Sequence, residues 1–166
     1  MDKKDYGDCT HSYVRNSARA IIIRDGKVAM VKSLKYGYYK FPGGGIHGDE
    51  DPVNAMIREA REEAGLTVIR DSIREYGLVH RVQKSDTDPT ERFVQDNYYY
   101  VCDAETESVE QELDEYEADE KFTPGFVDPR TAIDANRNTG ETPWDKSMFE
   151  REAKVLEMLI EEGFFG

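Results

Sequence analysis

The segment from Gly43 to Leu66 constrains the fold of this chain more than any other part of its 166 residues. Asp51 is a favourable N-cap and Pro52 a favourable first helical residue, because the first turn leaves N–H groups that need an acceptor. Gly65 has the conformational freedom to end a helix in the left-handed region. We therefore predict a helix between Pro52 and Gly65. The apolar residues that recur at helical spacing are Val53, Met56, Ile57, Ala60 and Ala64.

Three carboxylates of that helix lie beside its apolar stripe. At 100° per residue, Glu59, Glu62 and Glu63 fall within roughly a 100° arc. Like charges at this spacing repel each other, and Arg58 and Arg61 are the only bases nearby in the sequence. Hard oxygen ligands gathered on one face are what Mg²⁺ or Mn²⁺ binds. The pattern predicts a divalent-metal site, with Arg58 orienting Glu62 from four residues away.

Three consecutive glycines, Gly43 to Gly45, come shortly before the helix. A backbone without side chains can approach a metal ion or a phosphate closely, and its carbonyl oxygens are further hard ligands. We expect this loop and the helix together to bracket a metal-bound pyrophosphate.

The loop and helix together resemble the signature box of the Nudix hydrolases at every defined position. The matching residues are Gly44-x5-Glu50-x7-Arg58-Glu59-Ala60-x-Glu62-Glu63-x-Gly65-Leu66. The resemblance implies that Glu59 and Glu63 ligate Mg²⁺ (or Mn²⁺) and that Glu62 is a third acidic position of the metal site. It also implies that Arg58 orients a box carboxylate and that the carbonyl of Gly43 contacts the metal.

The activity that the resemblance implies is metal-dependent hydrolysis of a phosphoanhydride bond. The bond would lie in a nucleoside diphosphate linked to another moiety, such as a nucleotide sugar, a dinucleotide or a nucleoside triphosphate. A carboxylate would take the proton as water attacks phosphorus in line. The alternative is a catalytically inactive Nudix-fold module that senses a nucleotide. Because every box acid is present, we predict an enzyme, a Nudix-type pyrophosphohydrolase.

A further metal ligand is expected from the acidic segment Glu105–Glu120, which holds nine carboxylates in sixteen residues. Relatives often carry a metal-binding glutamate just before a strand, and Phe122–Val127 is predicted to be a strand. On this basis we favour Glu120 as the additional catalytic and metal-site residue, with Glu117 second. His47 stands where many relatives have an acidic residue. We interpret it as a residue that forms hydrogen bonds within the loop, in preference to a metal ligand.

Five residues outside the box are predicted to contact the substrate. The basic ones are suited to phosphates or a sugar, and the tyrosines to stacking on a base, although tyrosines in a strand are as typical of a core. These residues are Arg19, Tyr39, Lys40, Arg81 and Tyr99. The substrate itself, its leaving group and the identity of the general base stay open.

The order of elements predicts an α+β fold, and the resemblance implies a Nudix-type α/β/α sandwich with a mixed β-sheet. Residues 1–15 would form a polar N-terminal extension, and residues 16–166 a single Nudix hydrolase domain. The expected strands are Arg19–Arg24 and Lys27–Lys32, joined at Asp25-Gly26, then segments within Thr67–Val82 and Arg92–Asp103, and Phe122–Val127. The further helices expected are Asp128–Ala135 and Trp144–Glu162.

Charge and composition limit the partners. A net charge of −13 argues against a broad surface for a nucleic acid polymer, so we expect a small phosphorylated nucleotide-type substrate. No segment approaches the roughly 18 apolar residues of a membrane span, so no membrane partner is expected. Cys9-x-His11 supplies too few ligands for a structural zinc site, and two free thiols are typical of a cytoplasmic protein. The aromatic content permits a homodimer without requiring one.

Overall fold

The computed structural model describes residues 1–166, and its elements include the predicted strands and helices in the predicted order, together with elements that were not predicted. The strands are β1 (His11–Val14), β2 (Ser17–Ile21), β3 (Ile23–Arg24), β4 (Lys27–Lys32), β5 (Tyr39–Lys40), β6 (Gly43–Gly45), β7 (Arg74–Lys84), β8 (Glu91–Val101) and β9 (Thr123–Val127). The α-helices are α1 (Pro52–Ala64), α2 (Glu115–Asp119), α3 (Pro129–Arg137) and α4 (Lys146–Glu161). No helix is both long enough and apolar enough to cross a bilayer.

The strands form two sheets, and the first of them is mixed. Its long strand β8 runs parallel to β1 and β2, which follow one another along the same edge, and antiparallel to β7 on the other edge. Strand β6 extends this sheet by pairing antiparallel with β2. In the second sheet, β4 pairs antiparallel with β3, β5 and β9.

Helices cover both faces of the strands, which is the predicted α/β/α sandwich. Successive residues of a strand point to opposite faces. In β2, Ala20 accordingly belongs to the apolar cluster that contains the buried apolar residues of α1. Ile21 belongs to the cluster that contains those of α3 and most of those of α4. In β4, Ala29 and Met30 divide between the same two clusters. Strands buried on both faces explain the near-continuous apolar runs in the sequence.

The predicted hairpin is present, but its first strand is divided. Arg24 pairs with Lys27 across a two-residue turn in which Asp25 (φ 51°) and Gly26 (φ 72°) are both left-handed. The expected continuous strand Arg19–Arg24 instead changes sheets at Ile22, so β2 belongs to the first sheet and β3 to the second.

Helix α1 begins and ends as predicted, and its end brings the acidic segment close. The Asp51 carboxylate accepts from the backbone N–H of Val53 at 3.0 Å, and Gly65 adopts φ 66°. A Cβ at Gly65 would lie 2.2 Å from the carbonyl oxygen of Val109, so only glycine fits there. The backbone N–H of Glu112 also donates to the carbonyl of Glu62 at 2.7 Å. The acidic segment therefore crosses the C-terminal end of α1.

Residues ahead of β2 are attached along the first sheet. Asp2 forms a parallel bridge with Val82, and the Lys3 ammonium lies 2.8 Å from the Asp145 carboxylate. His11–Val14 pairs with β8 as a strand of its own. The polar N-terminal segment thus contributes to the sheet that carries the glycine stretch.

Candidate active site

Three carboxylates converge where α1 meets α2. One oxygen each from Glu59, Glu63 and Glu117 lies within 4.8 Å of the others. Glu59 and Glu63 are four residues apart and share a helix face. Glu117 is the N3 residue of α2, and its direction is fixed by a capping box with Asp114: the Glu117 N–H donates to Asp114 at 3.1 Å, and the Asp114 N–H donates to Glu117 at 3.0 Å.

The positive charge that faces this cluster from inside the protein comes from Lys40. Its ammonium lies 2.8 Å from Glu63, and both side chains are buried. Burial raises the pKa of Glu63 to about 8, because the low-dielectric interior disfavours the carboxylate. Burial also raises the pKa of Glu59 above its ordinary value. A cluster of partly buried carboxylates with so little neutralising charge is the donor set that a divalent cation stabilises.

The glycine stretch forms a wall against these carboxylates. Gly44 pairs with Ala18 in the β2–β6 ladder, so a stretch expected to be a loop is a short strand. A Cβ at Gly44 would lie 2.6 Å from the carboxyl carbon of Glu59. Any other residue there would push that carboxylate out of the cluster. The Gly43 N–H meanwhile donates to Glu63 at 3.4 Å.

Arg58 connects the loop before α1 to the helix, because its guanidinium contacts carboxylates in both. Its guanidinium binds Glu50 through two bonds of 2.9 Å each. The same group donates to Glu59 at 3.0 Å and to Glu62 at 3.2 Å. The bond from Arg58 holds the pKa of Glu50 down at about 2. Arg58 thus contacts Glu62, the carboxylate that the sequence assigned to it, and two further carboxylates of the box, Glu50 and Glu59. Glu62 stays outside the three-carboxylate cluster.

Glu120, favoured from the sequence as the later metal ligand, is engaged elsewhere. Its Oε1 accepts from the hydroxyls of Ser33 and Tyr38 at 2.7 Å each, and its Oε2 accepts from the Trp144 indole at 2.9 Å. It is Glu117, the second choice, that the structure brings to Glu59 and Glu63. The metal role of Glu120 stays a prediction, and Glu117 has the better position for it.

Of the five predicted substrate residues only Lys40 reaches the carboxylate cluster, whereas Arg19 and Tyr99 meet at Glu152 in the interior. Tyr39 donates its backbone N–H to Asn136 at 2.7 Å, away from the glycine wall. The other three lie in the interior: Arg19 donates to the carbonyl of Phe41, Tyr99 to Glu152 and Arg81 to Gln95. Their contact with a substrate stays a prediction.

A groove of about 340 Å³ opens beside the cluster and includes a cation that sequence reasoning missed. Glu59, Glu117, Gly44 and Gly45 form part of its lining, together with Arg15 and two tyrosines, Tyr13 and Tyr116. Arg15 is exposed, and its guanidinium makes no ion pair or hydrogen bond within the chain. The only feature of the sequence that could have pointed to Arg15 is its position just before β2. Its approach to the glycines depends on pairing between Ser17 and Gly45.

This combination of a sandwich fold, a glycine wall and a carboxylate cluster defines a Nudix-type domain. The model of the NUDIX domain family matches residues 14–150, and the chain belongs to this family. The predicted family and fold are thereby confirmed.

Similarity to individual proteins is more local. An RNA pyrophosphohydrolase of Xylella fastidiosa is 44% identical over 54 residues, which is 32% of this chain and 28% of that protein. An RNA pyrophosphohydrolase of Acinetobacter baylyi is 38% identical over 72 residues, 39% of this chain and 43% of that protein. The matches thus span less than half the length of these relatives.

Solved structures resemble the whole fold at low identity. A NUDIX hydrolase from Nitrosomonas europaea aligns with a TM-score of 0.59 at 16% identity, covering 90% of this chain and 88% of its own. A MutT NUDIX hydrolase from Burkholderia pseudomallei aligns with a TM-score of 0.54 at 20% identity, covering 87% and 97%. At these identities the likeness establishes the fold alone.

Proposed function

We propose that this chain is a divalent-metal-dependent pyrophosphohydrolase that cleaves a phosphoanhydride bond in a nucleoside diphosphate linked to another moiety. The observation that carries the proposal is the convergence of Glu59, Glu63 and Glu117 beside a groove walled by glycines. Gly44, Arg58, Glu59 and Glu63 of the Nudix signature each have a physical use in that arrangement.

The residues present fit Mg²⁺ or Mn²⁺. Carboxylate oxygens are the ligands these cations prefer, and the two neighbouring cations, Lys40 and Arg58, do not match the charge of the three glutamates. When bound there, a divalent cation would screen the phosphate charges and make a bound water more acidic. Glu59, Glu63 and Glu117 would hold it, and the absence of a side chain at Gly44 leaves room for their convergence.

The remaining residues would orient the reactants. Arg58 holds Glu59 and Glu62 in place from the loop side, and Lys40 holds Glu63 from the interior. Arg15, which has no partner in the chain, would meet the phosphates at the mouth of the groove. Proton transfer from the attacking water requires a carboxylate within hydrogen-bond reach. Glu62 is our candidate for that acceptor, because it lies next to the cluster without joining it.

The groove favours a nucleotide-type substrate. Tyr13 and Tyr116 are 49% and 41% exposed, so each presents part of its ring to the groove, although Tyr116 also packs against Phe122 and Trp144. Matched relatives are named RNA pyrophosphohydrolases. A triphosphorylated RNA 5′ end therefore belongs among the substrates to test, since such an end would need only the groove and no broad basic surface. Nucleotide sugars, dinucleotides and nucleoside triphosphates are the small-molecule candidates.

A substrate panel tests the proposal. The purified protein is incubated with each compound class and with Mg²⁺ or Mn²⁺, and release of phosphate, pyrophosphate or nucleotide is measured. We expect turnover of at least one compound, loss of that turnover with a chelator, and recovery when the metal is returned.

Glu63→Gln is the matched variant, because it keeps the size of the side chain and removes the charge. We expect near-complete loss of activity with a circular dichroism spectrum like that of the wild type. Because the change also leaves Lys40 without its ion pair, Glu59→Gln at a less buried position is the second variant. If the wild type turns over nothing but binds a nucleotide in calorimetry, the sensing-module alternative replaces the enzyme.

A further inference from the structure

A second group of metal-ligating side chains lies outside the groove, between the N-terminal strand and the turn that joins β7 to β8. His11 is the first residue of β1 and pairs in register with Glu91, the first residue of β8. Asp88 lies in the turn just before Glu91. One ligand atom from each of the three side chains lies within 4.8 Å of the others.

The two distances from His11 are longer than ordinary hydrogen bonds and close to the separation of two ligands on one metal ion. The Nε2 of His11 lies 3.4 Å from Glu91 Oε2 and 3.6 Å from Asp88 Oδ2. An N–H···O hydrogen bond would bring the atoms to about 2.7–3.2 Å. A tetrahedral ion with ligand bonds of about 2.0–2.1 Å separates its ligand atoms by roughly 3.3–3.4 Å.

Neighbouring hydroxyls orient the imidazole and one carboxylate towards this point. The Thr10 hydroxyl donates to the carbonyl of Thr90 at 3.4 Å and lies 3.2 Å from Nδ1 of His11. With Nδ1 beside the Thr10 hydroxyl, Nε2 is the ring nitrogen that faces the two carboxylates, which repel each other unless a cation lies between them.

Asp88 is held in the same way. Its Oδ1 accepts from both the backbone N–H and the hydroxyl of Thr90, at 2.9 Å and 2.7 Å. Its Oδ2 is the atom left to face His11. Outer bonds that fix the tautomer of a histidine and the direction of a carboxylate are the usual surroundings of metal ligands.

We propose that His11, Asp88 and Glu91 form a zinc site that fastens β1 to the β7–β8 turn. One imidazole and two carboxylates suit Zn²⁺, whereas the all-carboxylate cluster of the groove suits Mg²⁺ or Mn²⁺. Cys9, which the sequence places near His11, is not a ligand, since its sulfur is directed at the carbonyl of Pro89 at 3.9 Å. The site would steady the strand that leads to Tyr13 and Arg15 in the groove.

Zinc titration of protein labelled with ¹⁵N in its histidines tests the proposal without using hydrolysis. The chain has three histidines, His11, His47 and His80, so their ring signals can be assigned by substitution. We expect Zn²⁺ to move the Nε2 signal of His11 at micromolar concentrations in the presence of millimolar Mg²⁺. His11→Ala should bind one zinc ion fewer than the wild type in competition with a chromophoric indicator.

Two variants separate this site from the groove. Asp88→Asn keeps the bonds to Thr90 and should weaken zinc binding at least 10-fold, while Mg²⁺-dependent turnover is unchanged. Glu63→Gln should leave the zinc response of His11 intact. A His11 signal that responds to pH but not to Zn²⁺ would identify a plain imidazolium–carboxylate ion pair and overturn the proposal. An unchanged zinc count in His11→Ala would overturn it as well.

Discussion

Glu117 and Glu120 stand three residues apart at the end of the same acidic segment, and both are buried, yet their surroundings differ completely. Glu117 faces two other carboxylates across the groove wall. Glu120 is surrounded by three neutral donors from Ser33, Tyr38 and Trp144. One side chain is held among like charges that repel it, whereas the other has each of its oxygens satisfied.

The difference shows what each carboxylate is suited to do. A carboxylate among other carboxylates lowers the stability of the fold unless a cation binds between them. Such an arrangement therefore indicates a cation-binding site. A carboxylate that accepts hydrogen bonds from hydroxyls and an indole ties separate elements together. We therefore expect substitutions at Glu117 to affect activity and substitutions at Glu120 to affect stability.

Within this pair, the larger expected effect is that of Glu117→Gln on turnover. Glutamine also serves at N3 of a capping box, so α2 should keep its start while the cluster loses a charged ligand. We expect kcat to fall at least about 10- to 100-fold, the loss that even outer partners of a metal produce. The Tm should stay the same or rise, because like-charge repulsion is relieved. Steady-state kinetics at several Mg²⁺ concentrations and a thermal melt measure the two effects. Activity within twofold of the wild type would remove Glu117 from the site.

Glu120→Gln should show the reverse pattern. The amide can keep its oxygen towards Ser33 and Tyr38, but its NH₂ group then faces the N–H of Trp144. A buried donor without an acceptor costs about 1–3 kcal/mol, or roughly 2–10 °C in Tm for a chain of this size. Turnover measured well below Tm should stay within a few-fold of the wild type. A loss of turnover as large as that of Glu117→Gln, with an unchanged melt, would return the metal role to Glu120.

The sequence could predict the box helix because its signals are local. Asp51, Pro52 and Gly65 mark its ends through bonds within a few residues, and the spacing of Glu59 and Glu63 follows from helix geometry alone. The hairpin at Asp25-Gly26 was predictable for the same reason. Such features need no knowledge of what lies across the fold.

The choice between Glu117 and Glu120 depends on contacts that are distant in sequence. Nine acids in one segment carry the same chemical signal. What separates them is the close approach of Val109 to Gly65 and the donors that Tyr38 and Trp144 bring to Glu120. Arg15 was missed for a related reason, since its position follows from strand pairing. Nothing in the sequence indicates that three of the predicted substrate residues are buried, because burial of a polar side chain leaves no local signal. These residues are Arg19, Arg81 and Tyr99.

The smallest expected effect is that of Trp144→Phe, which tests whether the Trp144 indole stabilises the fold through its bond to Glu120. Phenylalanine keeps an aromatic ring against Tyr116, whose centroid lies 5.8 Å from that of Trp144, and removes the N–H that donates to Glu120. We expect a loss of about 1 kcal/mol in the free energy of unfolding, with kcat unchanged. Urea denaturation measures the loss, and the same change made in Glu120→Gln is the control. If the indole acts through Glu120, removing it there should cost nearly nothing or relieve the donor clash, so the two effects should not add. Additive losses would mean that Trp144 stabilises the fold through its packing on Tyr116, and the network around Glu120 would then consist of Ser33 and Tyr38 alone.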